Sequence, residues 1–244
     1  MPPDQRASTA DALAVLANGD VELRGRMPWS SNATFLARVT VPEEGIELPA
    51  VYKPGLGERP LSDFPQGLFH REAAAYALSE ALGWGIVPET VTRTDGPLGP
   101  GSLQRFVPAD FSQHYFTLLE QPEHHQALRT IAAFDLVANN ADRKSGHCLL
   151  GREGRVWAID NGLCFHALPH LRTVIWDFAG EAIPEALLAD LERLASGRAD
   201  LSCLDQHLSP AEAHAVRKRA SATVERGSFP EPERTHRAYP WPLV

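Results

Sequence analysis

Two short stretches carry most of the chemistry this chain can do: Asn139-Asn140-Ala141-Asp142-Arg143-Lys144-Ser145-Gly146-His147, and then Ala158-Ile159-Asp160-Asn161-Gly162. The first follows an apolar helical run, has an Asp-Arg pair in its loop, and places a polar residue five positions after Asp142. The second has an aspartate closing a short strand. That layout suits phosphoryl transfer from ATP, which needs cations for the triphosphate, a carboxylate for a divalent metal and a group to orient the acceptor hydroxyl. Asp142, with Asn140 and Arg143 beside it, is the expected catalytic set, its carboxylate accepting a hydrogen bond from the attacking hydroxyl. Asp160 is the expected ligand of Mg²⁺ or Mn²⁺. His147 is the candidate second ligand, although imidazole is softer than the usual oxygen donor and suits Mn²⁺ better than Mg²⁺.

Upstream, Lys53 ends an otherwise apolar strand, and Glu72 lies on the next helix. Taken singly, a strand-end lysine is a solvated charge and a helix glutamate is a surface residue. Their order and spacing ahead of the Asp142 loop favour a phosphate-binding ammonium held by an ion pair.

The elements that must position these groups follow from periodicity and turn signals. Residues 10–18 read as a short helix stopped by Gly19; residues 21–24, 34–39 and 48–53 read as strands, the last running into Pro54 and Gly55. Residues 68–82 form a helix rich in Ala and Leu that closes at Gly83, and strands follow near 90–92 and 101–107. From about residue 110 the pattern is helical. Residues 126–139 form an amphipathic segment, 148–150 and 156–159 a hairpin, and 184–196 and 209–226 helices with one apolar stripe each. The expected fold is α+β and two-lobed, protein-kinase-like: a sheet-rich N-lobe over 1–108, a helical C-lobe over 109–228 with ATP between the lobes, and an irregular, proline-rich tail over 229–244.

The chain has 244 residues, enough for one domain or two small lobes. With 31 acidic against 23 basic residues and a formal charge of -8, it is not expected to bind nucleic acid or an anionic membrane broadly. Its three cysteines lack CxxC spacing, which points to reduced thiols rather than a disulfide framework or zinc knuckle. No apolar run approaches the roughly 20 residues of a membrane span, and no secretory pattern opens the chain, so a cytoplasmic protein is expected. His124-His125 read as a solvated helix start, since adjacent side chains on a helix point apart. His166 and His170 have zinc-pair spacing but are separated by Pro169, and no Glu follows His166. Cys164 reads as a packed core residue, and Trp84, Trp157 and Trp176 as packing residues.

Ala50-Val51-Tyr52-Lys53-Pro54 with Glu58-Arg59-Pro60, Arg71-Glu72-Ala73-Ala74-Ala75-Tyr76, and Ser102-Leu103-Gln104-Arg105-Phe106-Val107 together resemble type II phosphatidylinositol 4-kinases. Residues 134–143 extend the resemblance into the catalytic loop, and the same layout is similar to HipA-type bacterial protein kinases. In order along roughly residues 20–180, the chain resembles an actinobacterial branch of the phosphatidylinositol 3- and 4-kinase-related superfamily. The resemblance implies that Lys53 binds phosphate, Glu72 pairs with it, Gln104, Arg105, Phe106 and Val107 form the adenine hinge, Asp142 is catalytic and Asp160 is the metal aspartate. Two departures stand out. The presumed phosphate loop, which would use Ser31, Asn32 and Thr34, has no glycine, and His147 stands where such kinases place Asn. The expected activity is transfer of the ATP γ-phosphate to a hydroxyl of a protein or a small polyol or inositol-type acceptor. The alternatives are a nucleotide-binding pseudokinase or scaffold, and transfer of AMP by the same groups.

Overall fold

The computed structural model describes residues 9–28, 32–232 and 238–243, so Ser31 of the expected phosphate loop lies outside the described residues. The chain divides into two units, Met1–Ala73 with Pro88–Val107, and Ala74–Val87 with Pro108–Val244.

The first unit is a five-stranded antiparallel sheet with a helix on one face. Helix α1 (Thr9–Asn18) precedes β1 (Asp20–Arg26), β2 (Phe35–Val41) and β3 (Ile46–Pro54), and β4 (Thr90–Arg93) and β5 (Gly101–Arg105) complete the order β1-β2-β3-β5-β4. The alternation of strand side chains builds the core: Ala37 and Val39 of β2, Ala50 and Tyr52 of β3 and Leu103 of β5 pack with Val15 and Leu16 of α1. Fully burying an aliphatic side chain of this size contributes about 1.5–3 kcal/mol. The C-terminal carbonyls of α1 would otherwise lack partners. Arg93 of β4 supplies them, its Nη1 donating to Leu16 O at 3.1 Å and Gly19 O at 3.0 Å. Because Tyr52 points into this core, the period of two turns Lys53 to the opposite face of the sheet.

Helix α2 (Leu68–Ala81) starts in the first unit and ends in the second. The second unit is mainly helical, with α3 (Tyr115–Leu119), α4 (His125–Ala138), α5 (Glu185–Ala195) and α6 (Pro210–Arg226), and a hairpin of β6 (Cys148–Leu150) and β7 (Val156–Ala158). Its core joins Leu78 and Leu82 to Leu128, Ile131 and Phe134 of α4, Leu191 and Leu194 of α5 and Val216 and Ala220 of α6. Ser209 caps α6, accepting the Glu212 N–H while the Glu212 carboxylate accepts the Ser209 N–H at 2.9 Å.

Three details differ from the sequence expectation. Helix α3 is a single turn or so, too short to show a helical period. The strand expected to run through Ile159 ends at Ala158: the Ile159 N–H still bonds in register to His147 O at 3.0 Å, but the reciprocal bond is missing, because the His147 N–H turns to Lys144 O at 3.1 Å and Ile159 O accepts from Arg143 Nη1 at 2.7 Å. Asp160 therefore lies past the strand end, with φ +57°. The tail has no helix or strand among its described residues, but it is anchored: Ala238 O accepts from Thr173 N at 3.2 Å and Trp176 Nε1 at 3.1 Å, and Leu243 O from Ser145 N at 2.9 Å. No helix among the described residues is long and apolar enough to cross a membrane.

Candidate active site

In the first unit, Lys53 at the end of β3 is ion-paired with Glu72 of α2. The glutamate side chain is 3% exposed and the lysine 22%, so a buried carboxylate holds a lysine whose side chain is still partly exposed. The segment 104–107 is bound to β4 and β3. Gln104 donates through Nε2 to Thr90 Oγ1 at 2.9 Å, Arg105 is ion-paired with Glu89, the Arg105 N–H reaches Glu89 O at 2.8 Å, and the Phe106 N–H reaches Pro49 O at 2.9 Å. Both polar side chains of this segment are thus spent within the unit, and Val107 is buried. Of the loop between β1 and β2, Asn32 accepts the Arg59 N–H on Oδ1 at 3.1 Å, and buried Thr34 accepts the Met27 N–H on its carbonyl at 2.8 Å.

In the second unit, α4 ends on Asn139 in the left-handed conformation, φ +54°, and the chain turns into the Asp142 loop. Asn139 ties that turn to the segment after Asp160: its Nδ2 donates to His166 O at 2.8 Å and Leu168 O at 2.7 Å, and its Oδ1 accepts from His170 N at 2.9 Å. Asn140 is fully buried, donating through Nδ2 to Asp135 Oδ1 at 3.0 Å and accepting the Asp142 N–H on Oδ1 at 2.9 Å.

Arg143 is the centre of this arrangement and is wholly buried. Its guanidinium meets Asp135 on α4 through Nε at 3.0 Å and Nη2 at 2.9 Å, reaches Ile159 O through Nη1 at 2.7 Å, and Asn161 Oδ1 through Nη2 at 2.8 Å. Burial works against its charge, but Asp135 more than restores it and holds the guanidinium ionised. One side chain therefore clasps the loop carrying Asp142 to the residues on either side of Asp160. Arg143 and Asn140, expected as members of the catalytic set, are both fully buried with their side chains bonded inside the unit. Removing one partner of a buried pair leaves an uncompensated charge, at a cost of roughly 3–5 kcal/mol.

Burial pushes the Asp142 carboxyl up to about 6; Lys144, whose Nζ lies 3.2 Å from Oδ2, pulls it down, and the negative charge of Asp160 adds to the rise. Asp160 has a half-exposed side chain, and His147 Nε2 lies 3.3 Å from its Oδ2. On the other side of the ring, His147 Nδ1 accepts the Lys144 N–H at 3.3 Å.

A divalent cation that arrives with a nucleotide needs only one or two protein carboxylates, because phosphates and waters supply the remaining ligands. The exposed carboxylate of Asp160 fits that requirement, and no preformed cluster of three or more His, Cys, Asp or Glu exists among the described residues. His125, His166 and His170 are engaged elsewhere. His125 Nε2 is 2.8 Å from Leu119 O, and the rings of His166 and His170 lie against each other with centroids 3.9 Å apart. Cys164 is packed in the core, and burial pushes the Cys148 thiol up to about 12, which makes it unreactive. The indoles of Trp84, Trp157 and Trp176 are bonded to Asp190, Glu153 and the Ala238 carbonyl.

Sequence reasoning assigned no role to Asp135 or Asn161. Asp135 had a visible signal, a charge on the apolar face of α4, which makes sense only with a buried partner. Asn161 had none, because its partner Arg143 is brought to it only by the folded chain.

No family model matches the chain. Protein Rv2133c of Mycobacterium tuberculosis is 39% identical over 268 aligned positions, covering 95% of each protein. Among solved structures, hydra Fam20, determined with a sugar, superimposes with a TM-score of 0.58 at 14% identity, over 89% of this chain and 88% of that one. The Helicobacter pylori proinflammatory kinase CtkA matches with a TM-score of 0.50 at 13% identity, over 88% of this chain and 94% of that one. The sheet-rich first part and helical second part therefore form a kinase-like fold.

Proposed function

The chain belongs to one family with that mycobacterial protein, and we propose that it is a phosphotransferase that moves the γ-phosphate of ATP to a hydroxyl group. The observation that carries this reading is the Arg143 clasp, which fixes the Asp142 loop and the Asp160 turn to each other through one buried guanidinium. A purely structural arginine has no need to bond on both sides of a half-exposed carboxylate held at φ +57°. The kinase-like fold supports the same reading.

In this account Asp142 accepts the acceptor's hydroxyl proton as the acceptor oxygen bonds to the γ-phosphorus and the bond from that phosphorus to the bridging oxygen of ADP breaks, ADP being the leaving group. A carboxyl raised to about 6 is a better base than an ordinary aspartate and is still ionised near neutral pH. Lys144 keeps its negative charge in place. Lys53, steadied by Glu72, neutralises phosphate oxygens, and residues 32–34 contribute small polar side chains and backbone N–H groups. Because the side chains of Gln104 and Arg105 and the N–H groups of Arg105 and Phe106 are engaged within the first unit, adenine would be met by Phe106 and Val107. Asp160 would hold Mg²⁺ or Mn²⁺, which supplies charge neutralisation at the triphosphate.

His147 takes a different role from a second metal ligand. Its Nδ1 accepts a backbone N–H, so the proton of the neutral ring sits on Nε2, the nitrogen facing Asp160. A protonated Nε2, 3.3 Å from Asp160 Oδ2, has no lone pair to offer a metal. Asp160 alone then meets the cation.

The acceptor belongs to the class of small polyols, inositol-type compounds or protein Ser/Thr. The test is incubation with ATP and Mg²⁺ or Mn²⁺ against panels of soluble polyols and Ser/Thr peptides, read by product mass. Products heavier by a phosphoryl group, with Asp142→Asn slower by roughly 10²–10⁴-fold but still binding ATP, are expected. Full activity in Asp142→Asn would remove the assigned base, and products heavier by AMP would mean nucleotidyl transfer.

A further inference from the structure

A loop that lines phosphate oxygens with backbone N–H groups usually contains glycine, because its backbone must come close to the ligand. Among its described residues, the loop between β1 and β2 has none. A glycine lies beneath it instead. A Cβ added at Gly57, in the 3-10 turn Gly55–Gly57 after β3, would stand 2.3 Å from Ala33 Cβ and 3.2 Å from both Ala33 Cα and Ala33 N. The first distance is shorter than any real Cβ contact, and part of what it meets is backbone, which cannot swing aside. Gly57 is not in the left-handed region, so its own backbone would accept alanine. The contact with Ala33 is what excludes a side chain.

Two hydrogen bonds run along the same seam. The Ala33 N–H donates to Gly57 O at 3.2 Å, and the Arg59 N–H donates to Asn32 Oδ1 at 3.1 Å. Glu58, between them, turns the other way: its carboxylate accepts the N–H groups of Gly67 at 2.8 Å and Phe69 at 3.0 Å, at the N-terminus of α2. That helix carries Glu72, the partner of Lys53. The three residues Gly57, Glu58 and Arg59 thus touch both elements that would hold phosphate.

We propose that the turn after β3 sets the position of the loop at residues 32–34 for a nucleoside triphosphate, and that Gly57 is a positioning residue of phosphate binding. The proposal rests on the phosphotransferase reading. Gly57 touches no phosphate itself; it allows Ala33 and Asn32 to sit low enough for their loop to close on one. The glycine missing from the loop is replaced by a glycine under it.

The test is a double-mutant cycle on the full chain, with ATP affinity in the presence of Mg²⁺ or Mn²⁺ as the readout, and KM and kcat where turnover is measurable. Gly57→Ala is expected to weaken ATP about tenfold or more and to raise KM with kcat nearly unchanged, since a displaced binding loop loses ground-state and transition-state contacts alike. In the Ala33→Gly background, where the opposing Cβ is gone, the same change is expected to cost less than about threefold. Asn32→Ala adds no bulk, and should weaken ATP severalfold even if Gly57→Ala fails to fold. Equal ATP affinity in wild type and Gly57→Ala, or no recovery in the Ala33→Gly background, overturns the proposal while leaving the phosphotransferase reading intact. Unchanged affinity in Asn32→Ala overturns it as well. A wild-type protein that binds no ATP overturns the phosphotransferase reading and this proposal with it.

Discussion

Asp142 shows how burial and neighbouring charge set the chemistry of one residue. Its carboxyl is pushed up to about 6 by burial, with Asp160 adding to the effect and Lys144 opposing it. In the unfolded chain the same group titrates near 3.8. Between these values the native state holds a proton that the unfolded state has released, so stability falls as pH rises from about 4 to about 6 and then levels off. Asp142→Asn removes the ionisable group. It is expected to raise the melting temperature at pH 8, by an equivalent on the order of 1–3 kcal/mol, and to leave it nearly unchanged at pH 4. Thermal unfolding of both proteins at the two pH values checks this without any assay of activity. Equal melting temperatures at pH 8 would mean that Asp142 is not buried at a cost. The residue types at 142, 143 and 160 were legible in the sequence, but the partition of roles was not. Only the folded chain brings Asp135, Ile159 and Asn161 onto one guanidinium, and a buried ion pair leaves no periodic trace beyond a charge on an apolar face.

Elements turn these residues toward one another. Tyr52 and Lys53 are adjacent in β3, so when one packs into the α1 face the other must leave it, and Glu72 meets Lys53 only if α2 starts at the right place. Glu58 sets that start by accepting two N–H groups at the helix N-terminus, where its charge also suits the helix dipole. Glu58→Ala is expected to cost about 1–2 kcal/mol of stability and Glu58→Gln less, because the amide oxygen still accepts. Denaturant unfolding of the two variants measures it, and an Ala variant as stable as wild type would show that the cap contributes nothing. Most elements were readable from periodicity, since the strands alternate and α4 and α6 carry apolar stripes. Helix α3 lies in the stretch read as helical but was given no bounds of its own, because a five-residue segment is too short to show a helical period. The strand before Asp160 was read one residue too long: Ile159 continues the apolar pattern, but its carbonyl is taken by the Arg143 guanidinium and the His147 N–H turns to Lys144 O, which ends the ladder.

For the molecule as a whole, the fold is kinase-like while identity to the matched structures is only 13–14%. Sheet order and helix packing depend on where apolar and polar residues alternate, which many sequences satisfy, whereas function depends on a few side chains. The overall charge of -8 would repel a triphosphate, so binding must come from local cations such as Lys53 and from a metal. That makes metal-dependent nucleotide binding the central claim. A ligand that binds the native state at 100 times its Kd stabilises by about 2.7 kcal/mol, a rise in Tm of roughly 5–10 °C for a chain of this size. The most direct measurement is therefore the melting temperature of the purified protein with millimolar ATP and Mg²⁺ or Mn²⁺, beside Asp160→Ala. A metal-dependent rise in the wild type that is lost in Asp160→Ala is the predicted result; no rise with either metal, or an equal rise in Asp160→Ala, would contradict it.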